Sequence, residues 1–133
     1  MNSPDESGLI GGVEQRKVVI VEYDDSWPEK FRRHAGQVAA VLGSTALRIE
    51  HIGSTAVPGL AAKPIIDILI VVANSADEDS YLPEVLAAGY ELRVREPDFH
   101  EHRMFRTAER DVHIHVLSLG CAEIDRTCCL GID

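Results

Sequence analysis

One carboxylate lies inside an otherwise apolar run, and it is the residue of this sequence that most needs a chemical explanation. The segment Pro64 to Val72 contains only aliphatic residues and proline apart from Asp67. Burying a carboxylate in such a segment is unfavourable unless a metal ion, an arginine or backbone N–H groups compensate its charge. Asp67 is therefore the first candidate for a catalytic residue and for a metal ligand.

The histidines form the second chemical signal. His113 and His115 alternate along an apolar strand pattern, so both imidazoles project from the same face. Imidazole and carboxylate together make a ligand set for Zn, Mn, Fe or Ni. We predict that Asp67 and two of the histidines bind a divalent metal ion. The predicted ligands are Asp67, His113 and His115, and the further candidates are His51, His100 and His102.

Whether these histidines share a face depends on the register of a predicted hairpin. Pairing of Arg106 with Asp111 places His102 opposite His115 on one face. Pairing of Arg106 with Val112 moves His102 to the other face. The sequence leaves both registers open. It also leaves open the alternative that the histidines are exposed or hydrogen-bonded strand residues that bind no metal.

The dipeptide Gly53-Ser54 follows a predicted strand and precedes the strand that carries Asp67. Such a turn offers backbone N–H groups and a hydroxyl that hold a phosphate without an intruding side chain. We predict that Gly53 and Ser54 bind phosphate and that Lys63 and Arg103 are auxiliary anion contacts. The carboxylates predicted to orient the histidines are Glu50, Glu101 and Asp111.

Apolar periodicity predicts the elements that position these residues. A four-, four-, three- and four-residue spacing from Trp27 to Leu42 is typical of an amphipathic helix. The order of elements indicates an α/β (α+β) fold, a mixed sheet with helices packed against it. The predicted strands are 17–23, 46–52, 64–72, 90–96 and the hairpin 102–107 with 111–118; the other predicted helices are 77–88 and a last one beginning at Cys121.

Composition limits the class of protein. The chain has 133 residues and a formal net charge of −9, which fits one domain over residues 17–133 after a disordered lead-in, 1–16. This acidity gives no footprint for duplex DNA or an anionic membrane, although a bound metal would still allow a nucleotide. No apolar run is long enough to cross a bilayer. Three cysteines, an odd number, favour a reduced, cytoplasmic protein.

Several common catalytic motifs are absent from the sequence. There is no G-x-S-x-G elbow of a serine hydrolase, no G-x-x-x-x-G-K-[ST] loop and no G-x-G-x-x-G fingerprint. The adjacent pair Cys128 and Cys129 has no basic surroundings that would favour a reactive thiolate.

Four segments resemble the GrpB family of small bacterial proteins: VEYDDSWPEKF, LRIEHIGSTAVPGLAAKPIIDILIVV, YELRVREPDFHEHRMFR and DVHIHVLS. The resemblance covers roughly residues 17–126 and implies the nucleotidyltransferase fold, shared with the catalytic domain of DNA polymerase β. It also implies a link to coenzyme A metabolism, since GrpB-like domains occur fused to dephospho-CoA kinase. Members that it resembles continue past the segment Glu123 to Arg126. Here TCCLGID follows, from which we expect an uncovered apolar face that favours a homodimer or marginal stability.

The nucleotidyltransferase pattern is only partly present. It asks for a Gly-Ser turn, which Gly53 and Ser54 supply, and then for two acidic residues one apart on a strand. Asp67 fits the first of these positions, whereas Leu69 occupies the second. The later strand expected to carry a third acid reads Val112 to His115. One aspartate with histidines indicates a single, softer metal rather than two Mg²⁺ ions held by three acids.

The leading hypothesis is a metal-dependent domain that binds a nucleotide or other phosphorylated small molecule and transfers a nucleotidyl or phosphoryl group. The first alternative is a non-catalytic binding or regulatory module linked to coenzyme A biosynthesis, which Leu69 favours. The second is a hydrolase-like site in which Asp67 and the histidines activate water at a metal.

Overall fold

A computed structural model describes residues 19–98 and 100–124 of the chain. The predicted lead-in, residues 1–16, lies outside this range, as do Cys128, Cys129 and the segment after Arg126 on which the expected homodimer depends. Among the described residues, no helix has both the length and the apolar character needed to cross a membrane. The elements are α1 (Trp27–Leu42), β1 (Arg48–Ile52), β2 (Ile66–Val72), α2 (Leu82–Ala87), β3 (Glu91–Glu96), β4 (His102–Arg106) and β5 (Val112–Ser118).

The strands form one mixed sheet in the order β1-β2-β5-β4-β3. The central pair, β2 and β5, is parallel, and every other neighbouring pair is antiparallel. The apolar run of β2 is explained by burial on both of its faces, because Ile66, Ile68, Ile70 and Val72 lie in one hydrophobic cluster and Leu69 and Val71 in another. The predicted mixed sheet with packed helices is confirmed.

Helices α1 and α2 cover one face of the sheet, which we call the helix face. The amphipathic stripe predicted for α1 is confirmed, since Trp27, Val38 and Leu42 are buried and Phe31 packs against the same core. Pro28 lies in the first turn of α1, where its missing N–H costs no helix hydrogen bond. Alternate strand residues complete this core: Ile66, Ile68, Ile70, Val72, Phe105, Val112, Ile114 and Val116.

The other face of the sheet, which we call the site face, carries the intervening residues of the central strands. Asp67 on β2 lies directly beside His113 on β5, two strand residues before the pair Leu69 and His115. Farther along, an apolar cluster contains Ile52, Leu69, Val71, Leu117 and Ile124. The site face is therefore polar at the beginning of β2 and β5 and apolar beyond it.

The hairpin adopts neither of the registers considered from the sequence. Arg106 pairs with His113, so the loop is one or two residues longer on the β5 side than expected. The Thr107 hydroxyl fixes this closure, because it donates to the Asp111 carboxylate and accepts from the N–H groups of Asp111 and Val112. The observed register differs from the first alternative by two residues, and a shift of two leaves every side chain on the same face. His102 and His115 therefore share the site face.

Two predicted elements differ from the structure. In the described part of the segment 17–23, Val21 forms only an isolated bridge with Ala62. The helix expected over 77–88 is divided into a 3₁₀ turn, Glu78–Ser80, and the short α2. Pro83 explains the division, because proline is accommodated in the first turn of a new helix but not inside a continuous one.

Candidate metal and phosphate site

Asp67, His113 and His115 come together on the site face at the beginning of β2 and β5. One ligand atom from each residue lies within 4.8 Å of those of the other two. The Asp67 Oδ1 atom lies 3.1 Å from His115 Nε2 and 3.7 Å from His113 Nδ1. These are the three residues that the sequence predicted as metal ligands, and the parallel pairing of β2 with β5 is what brings them together.

The separations between these atoms fit a small divalent cation. Zinc lies about 2.1 Å from nitrogen and oxygen ligands, so two ligands at a tetrahedral angle are about 3.4 Å apart. The two measured separations, 3.1 and 3.7 Å, lie on either side of that value. Three protein ligands would leave one coordination position open, as in catalytic rather than structural zinc sites.

Partial burial favours the form of imidazole that binds metals. The side chains of Asp67, His113 and His115 are each about a quarter exposed. Burial lowers the pKa of His113, and the Asp67 carboxylate opposes that effect only in part. The His113 imidazole is therefore neutral at physiological pH, with a nitrogen lone pair available for coordination.

A pocket of about 260 Å³ opens beside the cluster. Ser54, Thr55 and Lys63 line it together with Asp67 and His113. The lysine is exposed and Ser54 is half-buried, so a cationic group and a hydroxyl share one opening with the candidate metal ligands. The predicted phosphate contacts Ser54 and Lys63 therefore lie where an anion would approach a bound cation.

Glycine is required at position 53, directly before the pocket residue Ser54. Its backbone has a φ of 77° and a ψ of −173°, a conformation that only glycine adopts readily. A Cβ added here would lie 2.8 Å from Asp67 Oδ2 and 3.3 Å from the Asp67 Cβ. The turn therefore packs directly against the aspartate, whose Oδ1 faces the two histidines.

His51 belongs to the helix face and not to the metal cluster, which corrects its candidacy as a ligand. It pairs with Ile68 in the sheet, and its ring stacks on Phe31 at 4.8 Å. Thr55 donates its hydroxyl hydrogen to the Ile65 carbonyl, so it accepts from His51 Nε2. His51 thereby anchors the turn that carries Ser54 instead of binding an ion.

Two other expected site residues also lie elsewhere. Arg103 pairs with Val116, a helix-face residue, and its buried guanidinium contacts the carboxylates of Glu78 and Glu101. The prediction that Arg103 contacts the anion is therefore wrong, because its position in β4 points it away from the site face. His100 lies in the loop before β4, where its Nε2 is 3.8 Å from Glu123, outside the three-residue cluster.

His102 adjoins the cluster, and its carboxylate partner was missed in the sequence. His102 Nε2 lies 3.0 Å from His115 Nδ1, and His102 Nδ1 lies 2.7 Å from Glu96 Oε1. Glu50, Glu101 and Asp111, the carboxylates expected to orient histidines, instead contact Arg48, Arg103 and Lys30 respectively. Glu96 is recognisable as the partner of His102 only from the pairing of β3 with β4, which places the two residues opposite each other.

The second acidic position of the nucleotidyltransferase pattern is buried. Leu69 has no exposed surface and packs in the apolar cluster with Ile52 and Val71. A carboxylate at this position would be buried in that apolar cluster, with His115 and Glu50 as its neighbours on the paired strands. Water could not reach a carboxylate at this buried position, which agrees with the presence of leucine instead of an acid.

Comparison with known proteins identifies relatives of the chain. The family described as GrpB protein matches residues 17–130. A UPF0157 protein of Halalkalibacterium halodurans is 54% identical over 109 residues, which cover 82% of this chain and 56% of that protein. A UPF0157 protein of Streptomyces coelicolor is 50% identical over 116 residues, which cover 87% of this chain and 60% of that protein. The chain thus spans a little over half the length of these relatives.

A solved structure and a larger protein also match. The crystal structure of the conserved protein GrpB from Enterococcus faecalis has a TM-score of 0.76 and 35% identity, covering 84% of this chain and 69% of that one. A dephospho-CoA kinase of Mycolicibacterium paratuberculosis is 42% identical over 76 residues, which cover 55% of this chain and 19% of the kinase.

Proposed function

The chain belongs to the GrpB family, as its motifs led us to expect, and we propose that it binds a divalent metal together with the phosphate of a nucleotide or other small molecule. Asp67, His113 and His115 would hold the metal. Ser54 and Lys63, with the backbone of the Gly53 turn, would hold the phosphate.

One observation carries this proposal: two members of the three-residue cluster, Asp67 and His113, line the same pocket as Lys63 and Ser54. A phosphate is recognised by positive charge and by hydrogen-bond donors, and this pocket offers both beside an aspartate that would otherwise repel it. A cation between Asp67 and the phosphate removes that repulsion. The net charge of −9 makes such a local source of positive charge more necessary.

The residues of the pocket define what chemistry is available. A bound divalent ion would act as a Lewis acid on a phosphoryl oxygen. Lys63 would neutralise a second oxygen, and the Gly53 turn would orient the group by its N–H donors. The reaction class that suits these parts is nucleotidyl or phosphoryl transfer.

A second candidate function is a binding module without catalysis. Leu69 occupies a buried position where the nucleotidyltransferase pattern has an acid, so at most one metal is held by this set. The partial match to dephospho-CoA kinase supports a regulatory or binding role linked to coenzyme A biosynthesis. In that case the pocket would bind a nucleotide such as ATP or a coenzyme A precursor and leave it unchanged.

Binding and turnover of ATP separate these functions. We expect equilibrium dialysis with labelled ATP and Mn²⁺ to show binding that the chelator EDTA removes. Lys63→Gln should weaken this binding about tenfold, whereas Arg32→Gln, at a surface position 63% exposed on α1, should not.

The products decide the class of function. Formation of a nucleotidylated or phosphorylated product supports the transferase, and bound but unchanged ATP supports the module. Metal binding without any affinity for ATP or phosphate would contradict both and would favour a hydrolase-like site in which the metal activates water.

A further inference from the structure

A chain of close polar contacts crosses the site face through four adjacent strands. It begins at Glu96 on β3, continues through His102 on β4 and His115 on β5, and ends at Asp67 on β2. The successive distances are 2.7 Å from Glu96 Oε1 to His102 Nδ1, 3.0 Å from His102 Nε2 to His115 Nδ1, and 3.1 Å from His115 Nε2 to Asp67 Oδ1. Each contact is within hydrogen-bonding distance.

The two imidazoles meet edge to edge. Their planes differ by 18° and their ring centres lie 5.3 Å apart, although the nearest nitrogens are only 3.0 Å apart. Rings stacked face to face at that centre distance would not bring two nitrogens together in this way. The nearly common plane is instead the arrangement in which an N–H of one ring points at the lone pair of the other.

The direction of each hydrogen bond follows from the chemistry of its ends. The Glu96 carboxylate only accepts, so His102 carries its hydrogen on Nδ1. A neutral His102 then has a bare Nε2, which must accept from Nδ1–H of His115. With its single ring hydrogen on Nδ1, His115 presents a bare Nε2 to another acceptor, Asp67 Oδ1, at 3.1 Å. Two imidazoles with one hydrogen each supply two hydrogens for three contacts, and the contact left without one is that with Asp67, which lines the pocket.

We propose that Glu96 and His102 are positioning residues that hold His115 in its Nδ1–H form, so that its Nε2 lone pair is directed at a divalent cation shared with Asp67. This inference rests on the proposed function for the identity of the cation. A cation supplies the positive charge that two facing acceptors lack. Hydrogen-bonded partners of metal-ligating histidines act in this way in other proteins, and their loss weakens metal affinity about 10- to 100-fold.

The tautomer can be measured without any metal. Long-range ¹H–¹⁵N NMR on histidine-labelled, metal-free protein at about pH 8, where free imidazoles are neutral, distinguishes Nδ1–H from Nε2–H. We expect His115 to be the Nδ1–H form in the wild type. In His102→Phe we expect His115 to shift towards the Nε2–H form, which then donates to Asp67. A wild-type His115 in the Nε2–H form, or a tautomer unchanged in His102→Phe, overturns the proposal.

Zinc titration provides the second measurement. We expect His102→Phe to weaken Zn²⁺ binding about 10- to 100-fold although all three proposed ligands are retained. The matched control is His34→Phe on α1, where the imidazole contacts Tyr90 instead of the cluster, and it should bind Zn²⁺ as the wild type does. Equal zinc affinity in His102→Phe and His34→Phe contradicts the positioning role.

Glu96→Gln tests the same role with little risk to folding, because the Glu96 side chain is 37% exposed. An amide can donate as well as accept, so the direction of the chain is no longer fixed, and we expect a mixture of His115 tautomers. A single Nδ1–H form in this variant overturns the role of Glu96. If no metal binds but the tautomers behave as expected, the proposed function fails while the positioning by Glu96 and His102 stands.

Discussion

Substitution of Gly53 by alanine perturbs the candidate site at one defined contact. The new Cβ would lie 2.8 Å from Asp67 Oδ2 and 3.3 Å from the Asp67 Cβ. Because the Asp67 Cβ is fixed by the central strand β2, the carboxylate must rotate away instead. That rotation removes Oδ1 from its positions near His113 and His115.

The expected loss of stability has two parts. Placing a non-glycine residue at φ 77° and ψ −173° costs about 1–3 kcal/mol. Forcing the Asp67 carboxylate from its rotamer adds about 0.5–1.5 kcal/mol. Gly53→Ala should therefore lower the free energy of unfolding by roughly 1.5–4.5 kcal/mol.

Gly59 offers a matched control. It has a φ of 81°, close to that of Gly53, but a Cβ added there would meet no atom within 4 Å. Gly59→Ala should show backbone strain alone, about 1–2 kcal/mol. Urea unfolding of both variants measures the difference in the free energy of unfolding.

The two variants should differ most in metal binding. We expect Gly53→Ala to bind Mn²⁺ or Zn²⁺ at least about tenfold more weakly than the wild type, which corresponds to about 1.4 kcal/mol. Gly59→Ala should bind within about twofold of the wild type, which is less than about 0.5 kcal/mol. Equal metal affinities in the two variants, with both folded, would refute the reasoning that Gly53 keeps the Asp67 carboxylate in place.

Two further predictions concern residues around the site. The pKa of Glu78 is lowered, chiefly by hydrogen bonds from Arg95 and also by those from Arg103. The ionised carboxylate therefore stabilises the fold at pH values above its unfolded pKa of about 4.3. This contribution is lost as the pH falls through the folded pKa. Glu78→Gln should therefore cost about 2 kcal/mol at neutral pH, with a gap from the wild type that narrows in acid, whereas the surface control Glu29→Gln should show neither effect in urea unfolding across pH. Leu69→Asp, which restores the acid of the nucleotidyltransferase pattern, should lose about 3–5 kcal/mol because the new charge has no exposure to water and lies in the apolar cluster beside the acidic Glu50, whereas Leu69→Met should lose less than about 1.5 kcal/mol. A folded Leu69→Asp protein with increased Mg²⁺ affinity would contradict this account of the position.

The grouping of Asp67 with His113 and His115 was predictable because it depends on local alternation. The spacing of His113 and His115 places both on one face of any strand, whatever its neighbours are. The single carboxylate in the apolar run of β2 indicated that a partner compensates its charge. The pairing of β2 with β5 brings this carboxylate to the histidines. Local pattern and one strand pairing were sufficient to identify these three residues.

The remaining site residues depended on registers that the sequence did not determine. The Thr107 hydroxyl fixes the β4–β5 closure, and a hydroxyl-closed loop has no distinctive sequence pattern. Glu96 reaches His102 only through the β3–β4 pairing, whose register shifts between Leu92 and Val94. A shift of one residue in a strand exchanges its two faces. For that reason the sequence did not reveal that Arg103 lies away from the site face, whereas the placement of His115 near Asp67 did not depend on the loop.

His51 shows a different limit. Its position immediately before Ile52 and Gly53 suggested that it belongs to the candidate metal site, because it is close in sequence to the Gly53-Ser54 turn. Ile52 pairs with Asp67 and takes the site face, so its neighbour His51 must face the helices. Alternation within β1 would have given this result once the partner of Asp67 was known.

The most direct test of the central claim is calorimetric titration of the metal-stripped protein with Mn²⁺, Zn²⁺ and Mg²⁺, compared with Asp67→Asn. The control is Asp25→Asn, the same change in the exposed turn before α1. We expect one ion to bind per chain in the wild type and in Asp25→Asn, and binding to be lost in Asp67→Asn. No binding in the folded wild type, or equal binding in Asp67→Asn, would contradict a metal site built on Asp67, His113 and His115.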